Sequence, residues 1–151
     1  MKKNELLEIM DELLSVLDQL RNAAFKKQRA LIENSFEGIE GAVKEEEKYI
    51  SELQNIHKRR VTILNSISND FALNINSNKF TDFLTAIKGR IDGEYFEELV
   101  QRNDTLGLLL SNVNMLNLQN RYLTEQARSF NRSLINELFT NKHKTILDRK
   151  V

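Results

Sequence analysis

The chain has no cysteine, no proline, no tryptophan and only five glycines. The missing cysteine removes disulfides, thiolate nucleophiles, cysteine-ligated zinc and iron–sulfur clusters together. With no proline, and glycine confined to Gly38, Gly41, Gly89, Gly93 and Gly107, the many tight turns of a β-sandwich or barrel have nothing to build them. Charge of one sign is lacking as well: 22 basic side chains face 22 acidic ones. A nucleic-acid binder needs a cationic surface to displace counterions, so no nucleic-acid partner is expected. Long apolar runs are missing, since the longest, Leu106–Leu110, falls far short of the ~20 residues of a membrane span. The start, Met1-Lys2-Lys3-Asn4-Glu5 with Glu8, Asp11 and Glu12 close behind, is no signal-peptide core. A cytoplasmic protein without stable membrane insertion is the expectation. The glycosylation sequons at Asn103 and Asn131 then read as chance among 17 asparagines.

What is present is helical periodicity. The 151 residues fit one domain, long enough to bury a core without covalent staples. Over about 4–33, Leu6, Leu13 and Leu20 repeat every seventh residue. Beside them run Ile9, Val16, Ala23, Ala30 and Met10, Leu17, Ala24, Leu31. A stripe of three rows is wider than a two-helix seam and should touch two neighbouring helices. Asn34, with Glu37 three residues on, reads as the N-cap of a second helix to about Ser68. Its rows are Phe36, Val43, Ile50, Leu64; Ile39, Leu53, Ile67; and Ala42, Tyr49, Ile56, Ile63, interrupted by Glu46, His57 and Arg60. The short link between the two predicts an antiparallel hairpin.

Residues 69–79 hold four asparagines and little period, hence a loop. Phe80, Phe83, Leu84 and Ile87 predict a short helix closing near Gly89. A last long helix over about 94–140 carries two rows: Leu99, Leu106, Val113, Asn120, Ala127, Leu134 and Arg102, Leu109, Leu116, Leu123, Phe130, Glu137. At ~1.5 Å per residue it is about 70 Å long, so it should overhang its partners or break near Gly107. The expected fold is therefore all-α: an antiparallel three-helix bundle of long, coiled-coil-like helices with a short extra helix before the last one. Residues 1–140 form the bundle domain, and 141–151 a basic, disordered tail. Residues 1–140 are net −3 and the tail is net +3.

Chemistry is sparse. His57 and His143 are the two histidines, with no H-x-x-x-H, H-E-x-x-H or E-x-x-H spacing for a metal. No nucleophile elbow, P-loop or dinucleotide fingerprint occurs. No catalytic residue, metal or cofactor is expected. Glu45-Glu46-Glu47 spreads over most of a helical turn and reads as a solvated face. Lys26-Lys27-Arg29 and Lys58-Arg59-Arg60 read the same way. The unusual element is Leu116-Asn117-Leu118-Gln119-Asn120-Arg121-Tyr122-Leu123, where Asn120 stands in a leucine-rich row with Asn117 one turn back. An asparagine at a seam selects register, because misaligned pairings strand its amide. The alternative is a groove floor whose amides meet an incoming helix.

These residues carry a resemblance. The opening Leu6-Leu7-Glu8-Ile9-Met10-Asp11-Glu12-Leu13-Leu14, the break at Asn34-Ser35-Phe36-Glu37-Gly38-Ile39, the charged stretch Lys44-Glu45-Glu46-Glu47-Lys48 with Leu53, and the pattern Leu116, Asn117, Asn120, Leu123 followed by Phe130, Leu134 and Leu138 resemble the flagellar export chaperone family FlgN. The resemblance implies a chaperone that binds the C-terminal amphipathic helices of the hook–filament junction proteins (FlgK, FlgL) and delivers them to the flagellar export apparatus. Cargo is then expected on the apolar side of the last helix, at Leu109, Val113, Leu116, Asn117, Asn120, Leu123 and Phe130, by helix-in-groove binding. A homodimer of the empty chaperone fits the same surface. The competing expectation is a self-associating coiled-coil scaffold with no export role. A third, a helix lying on membranes, is opposed by the mixed charge of the polar faces.

Overall fold

The computed structural model describes residues 2–75, 77 and 79–149, with 141–149 as helical backbone alone. Its helices are α1 (Lys2–Ile32), α2 (Phe36–Asp70), α3 (Phe80–Ile87) and α4 (Gly93–Arg149). The all-α class and the short helix before the last long one agree with the sequence expectation. The helix does not break at Gly107: α4 is continuous over 57 residues, about 85 Å. Its backbone also runs past 140, the end read from the sequence, to Arg149. The tail assigned to 141–151 falls on residues whose side chains, and for 150 and 151 everything, lie outside the described ones.

α1 is the central rod. Lys2 pairs with Asp70, Glu12 with Arg59 and Lys26 with Glu45, so α2 runs antiparallel to it. Asp11 pairs with Arg102 and Gln28 with Gln119, both 91 residues apart, so α4 runs parallel to it. Both long neighbours pack along α1 and barely meet each other. The three-row stripe explains this arrangement, since it presents one edge to each neighbour. Leu6, Met10, Ile67 and Leu99 close one end of the core with Phe80, Phe83, Leu84 and Ile87 of α3. Farther along, Ile9, Leu13, Val16, Leu17 and Leu20 of α1 meet Ile56 of α2 and Leu106 and Val113 of α4. Each such side chain contributes about 1.5–3 kcal/mol by leaving water.

The hairpin turn differs from its sequence reading. Asn34 does not cap α2; it sits at φ 53° and ends α1. Ser35 N–H donates to the Ala30 carbonyl at 2.9 Å and Asn34 N–H to the Leu31 carbonyl at 3.3 Å, the paired bonds of a Schellman stop. Asparagine tolerates that left-handed backbone. Ser35 is the N-cap instead, its Oγ accepting from Gly38 N–H at 3.1 Å. Gly38 is required here by crowding, because a Cβ would stand 2.9 Å from Cβ of Ala30. The small side chains Ala23, Ala24, Ala30 and Ala42, all buried, let the helices close toward this turn.

The charge clusters are not a plain solvated face. Lys26 and Lys27 reach Glu45 and Glu46, each at 3.2 Å, tying α1 to α2. Arg59 grips Glu12 with two bonds of 2.6 and 3.2 Å, which holds the Glu12 carboxyl below the usual range. Arg60 lies half-buried over the Phe80 ring, 5.6 Å from its centroid, and burial lowers its pKa. Exposed pairs of this kind are worth at most about 1 kcal/mol each.

Candidate functional site

The one region where the sequence pattern outruns its partner is α4. Asp92 starts it by accepting from Tyr95 N–H at 3.2 Å. Tyr95 then donates its hydroxyl to the Lys3 carbonyl at 2.9 Å, and Arg102 clasps Asp11 at 2.7 and 3.1 Å. These contacts fix the register of α4 on α1. Along the seam Leu99, Leu106, Val113 and Asn120 face inward, each at most 8% exposed.

Asn120 closes that row. Its Nδ2 donates to the Ala24 carbonyl at 2.9 Å, while its buried Oδ1 has no partner among the described residues. Any slip of α4 along α1 would break the Nδ2 bond and leave that donor too without a partner in an apolar seam. The register reading of Asn120 is the one this geometry favours. Asn117, one turn back, is exposed.

The seven residues assigned to cargo from the sequence therefore divide. Val113 and Asn120 are taken up by α1 and are not presented to a partner. The reason is that the row repeating every seven from Leu99 is the seam itself. Leu109, Leu116 and Leu123 lie half-buried along its edge, with Leu109 against the core. Asn117 is open, and Phe130 is 67% exposed.

Beyond the end of α1 no described helix lies alongside α4. With 91 residues between paired positions, Ile32, the last residue of α1, is level with about Leu123. From there to Arg149 α4 projects about 40 Å past the hairpin. The seam row does not stop with α1: it continues through the half-buried Ala127 to Leu134, which no described helix covers. Leu134 is 44% exposed, and Ile135 and Leu138 are more exposed still. Sequence reasoning placed Leu134 and Leu138 in the helix but not in the site. Subtracting the length of α1 from that of α4 in register was the signal that could have found them.

Among the described residues no group of three or more His, Asp or Glu side chains is placed to hold a metal. His57 is exposed, its Nδ1 3.5 Å from an Arg60 nitrogen, on a surface far from this overhang. Among the described residues no helix is long and apolar enough to cross a membrane.

No curated protein and no solved structure matches the chain. The FlgN family profile, described as FlgN protein, matches residues 1–146 and thus takes in all four helices and most of the overhang. The chain belongs to the FlgN family of flagellar export chaperones.

Proposed function

We propose that this chaperone binds a C-terminal amphipathic helix of a hook–filament junction protein of the FlgK or FlgL type and delivers it to the export apparatus. The observation that carries the reading is the continuation of the α4 seam past the end of α1. A cargo helix laid against Ala127, Phe130, Leu134 and Leu138 would take the position that a longer α1 would fill. Its recognition is the same apolar stripe that α1 offers to Leu99, Leu106 and Val113, entering by helix-in-groove packing. Leu116, Leu123 and Asn117 would form the near edge of that surface. The cargo stripe would be hidden from water, which keeps it from pairing early with its own assembly partners. Binding of this kind needs no catalytic group and no cofactor.

The test is co-expression with the C-terminal segment of a junction protein. The full chain should co-purify with it. Phe130→Asp with Leu134→Asp should abolish the complex while the melting temperature stays unchanged, because neither residue supports the bundle. Leu116→Asp with Leu123→Asp should weaken it with helicity mostly retained. Two folded, soluble partners that fail to co-purify would sink the reading.

A further inference from the structure

Arg102 of α4 clasps Asp11 of α1 at 2.7 and 3.1 Å, across the border of their apolar seam. Charged residues at such a border select the partner helix and fix its register, because a slipped pairing leaves each charge without its mate. From Arg102 the same row runs through Leu109, Leu116, Leu123 and Phe130, one every seventh residue, and reaches Glu137 five heptads on. Glu137 is exposed, on the overhang. No lysine or arginine stands three or four residues from it, the spacing at which a helix pairs its own charges.

That side of α4 is otherwise uncharged. Between Asn103 and Asn136 the charged residues are Asp104, Arg121, Glu125, Arg128 and Arg132. By its place in the heptad, each falls on the side of the helix away from the seam. Along the overhang the seam is bordered by Thr124 and Asn131 on one side and by Gln126 and Ser133 on the other, amides and hydroxyls alone. Glu137 is thus the one charge on this face among the described side chains of the overhang. The row opens on a cation that α1 satisfies and closes on an anion that nothing in the bundle meets.

We infer that Glu137 sets the register of the cargo helix by pairing with one basic residue at the border of that helix's apolar stripe, as Arg102 pairs with Asp11 within the chain. The inference rests on the cargo reading above and adds the chemistry of the helix that fits: an apolar stripe, uncharged polar borders and one lysine or arginine. Its position follows from the register of α1. Asp11 and Arg102 are 91 residues apart, so Glu137 is level with a point about 14 residues past Ile32, roughly 21 Å beyond the end of α1. The cation should stand about two heptads from the end of the cargo helix that meets the hairpin. A helix with a carboxylate there is repelled, and one displaced by a heptad leaves both charges unpaired.

The probe is the C-terminal segment of a FlgK- or FlgL-type junction protein, titrated calorimetrically into the full chain. Glu137→Gln should weaken binding about threefold and Glu137→Lys about tenfold. Helicity and melting temperature should stay unchanged, because the side chain is exposed. Glu125→Lys, the same charge change on the opposite side of the helix, should alter affinity by less than about twofold. Replacing one lysine or arginine of the segment by glutamate should restore binding to Glu137→Lys while weakening binding to the native chain. Native affinity in Glu137→Lys overturns the inference and leaves the cargo reading standing. Equal losses at Glu137→Lys and Glu125→Lys overturn it too, by showing a general field and no pairing. A loss that no single reversal on the segment restores also overturns it. A segment that does not bind the native chain overturns both readings.

Discussion

α1 and α4 carry the same kind of stripe and meet different fates. In α1 it is buried from Leu6 to Ala30, almost end to end. In α4 the row is buried from Leu99 to Asn120, half-buried at Ala127 and exposed at Leu134, although Leu134 is as apolar as anything before it. The local physics of the two halves of α4 is alike: good helix formers, leucine at heptad spacing and no proline. What differs is whether another helix lies alongside. Burial here depends on the paired lengths of two rods and on their register, and the unpaired remainder of the longer rod is the surface that the proposed function gives to cargo.

The comparison breaks most visibly at equivalent leucines of the two halves. Leu99 is fully buried between α1 and α3, so Leu99→Ala should cost about 2–5 kcal/mol in urea unfolding, the transfer term plus a cavity. Leu134→Ala removes the same atoms from the same row and should change stability by no more than about 0.5 kcal/mol. Similar losses at the two sites would mean that the overhang is packed in the free protein, and the cargo surface would have to be sought elsewhere.

A smaller effect separates two glycines. Gly38→Ala drives a methyl to 2.9 Å from Cβ of Ala30, with helix backbone behind it, and should cost about 1–3 kcal/mol. Gly107→Ala meets no atom within 4 Å and should instead gain up to about 1 kcal/mol from helix propensity. Thermal melts of the two variants should move in opposite directions. A matching shift would show that the hairpin end of α1 and α2 is looser than the buried alanines imply.

Much of this architecture was legible in the sequence because it is written in period. The width of the α1 stripe announced two neighbours, and the length of α4 announced an overhang. What stayed hidden depends on which side of a helix a neighbour takes. Val113 and Asn120 looked like cargo residues because a leucine-rich row reads the same whether its partner is in the chain or foreign. The cap moved by one residue, since Asn34 and Ser35 are both good caps and only the close approach of Gly38 to Ala30 chooses between them. The charged clusters became ties because hairpin register, which sets Lys26 against Glu45, is not a local property.

Asn120 offers a finer test of how the supported half is held. Asn120→Ala loses the bond to Ala24 and some packing, and should cost about 1–2 kcal/mol. Asn120→Leu fills the site and removes the unpaired Oδ1, so it should be neutral or slightly stabilising. If the amide sets register, the leucine variant should nonetheless show doubled or broadened amide resonances along α1 and α4. A sharp single set of signals would assign register to Arg102 and Tyr95 instead.

The smallest effect lies at the start of the α1–α4 seam, at Tyr95. Burial is the main cause that pushes its phenol up from the ordinary value to about 12, with the Glu98 charge adding to it. The neutral phenol is also the form that donates to the Lys3 carbonyl at 2.9 Å. A raised folded-state pKa means that the stabilisation is complete below the unfolded value near 10 and is lost as pH climbs through about 12. The site is half open to solvent, so the contribution should be under about 1 kcal/mol. Between pH 9 and pH 11.5 the native chain should lose slightly more stability than Tyr95→Phe, whose seam has no proton to give up there. Equal losses would show that the phenol is solvated in the folded state. The seam would then begin at the buried Leu99, shortening by one turn the part of α4 that α1 supports.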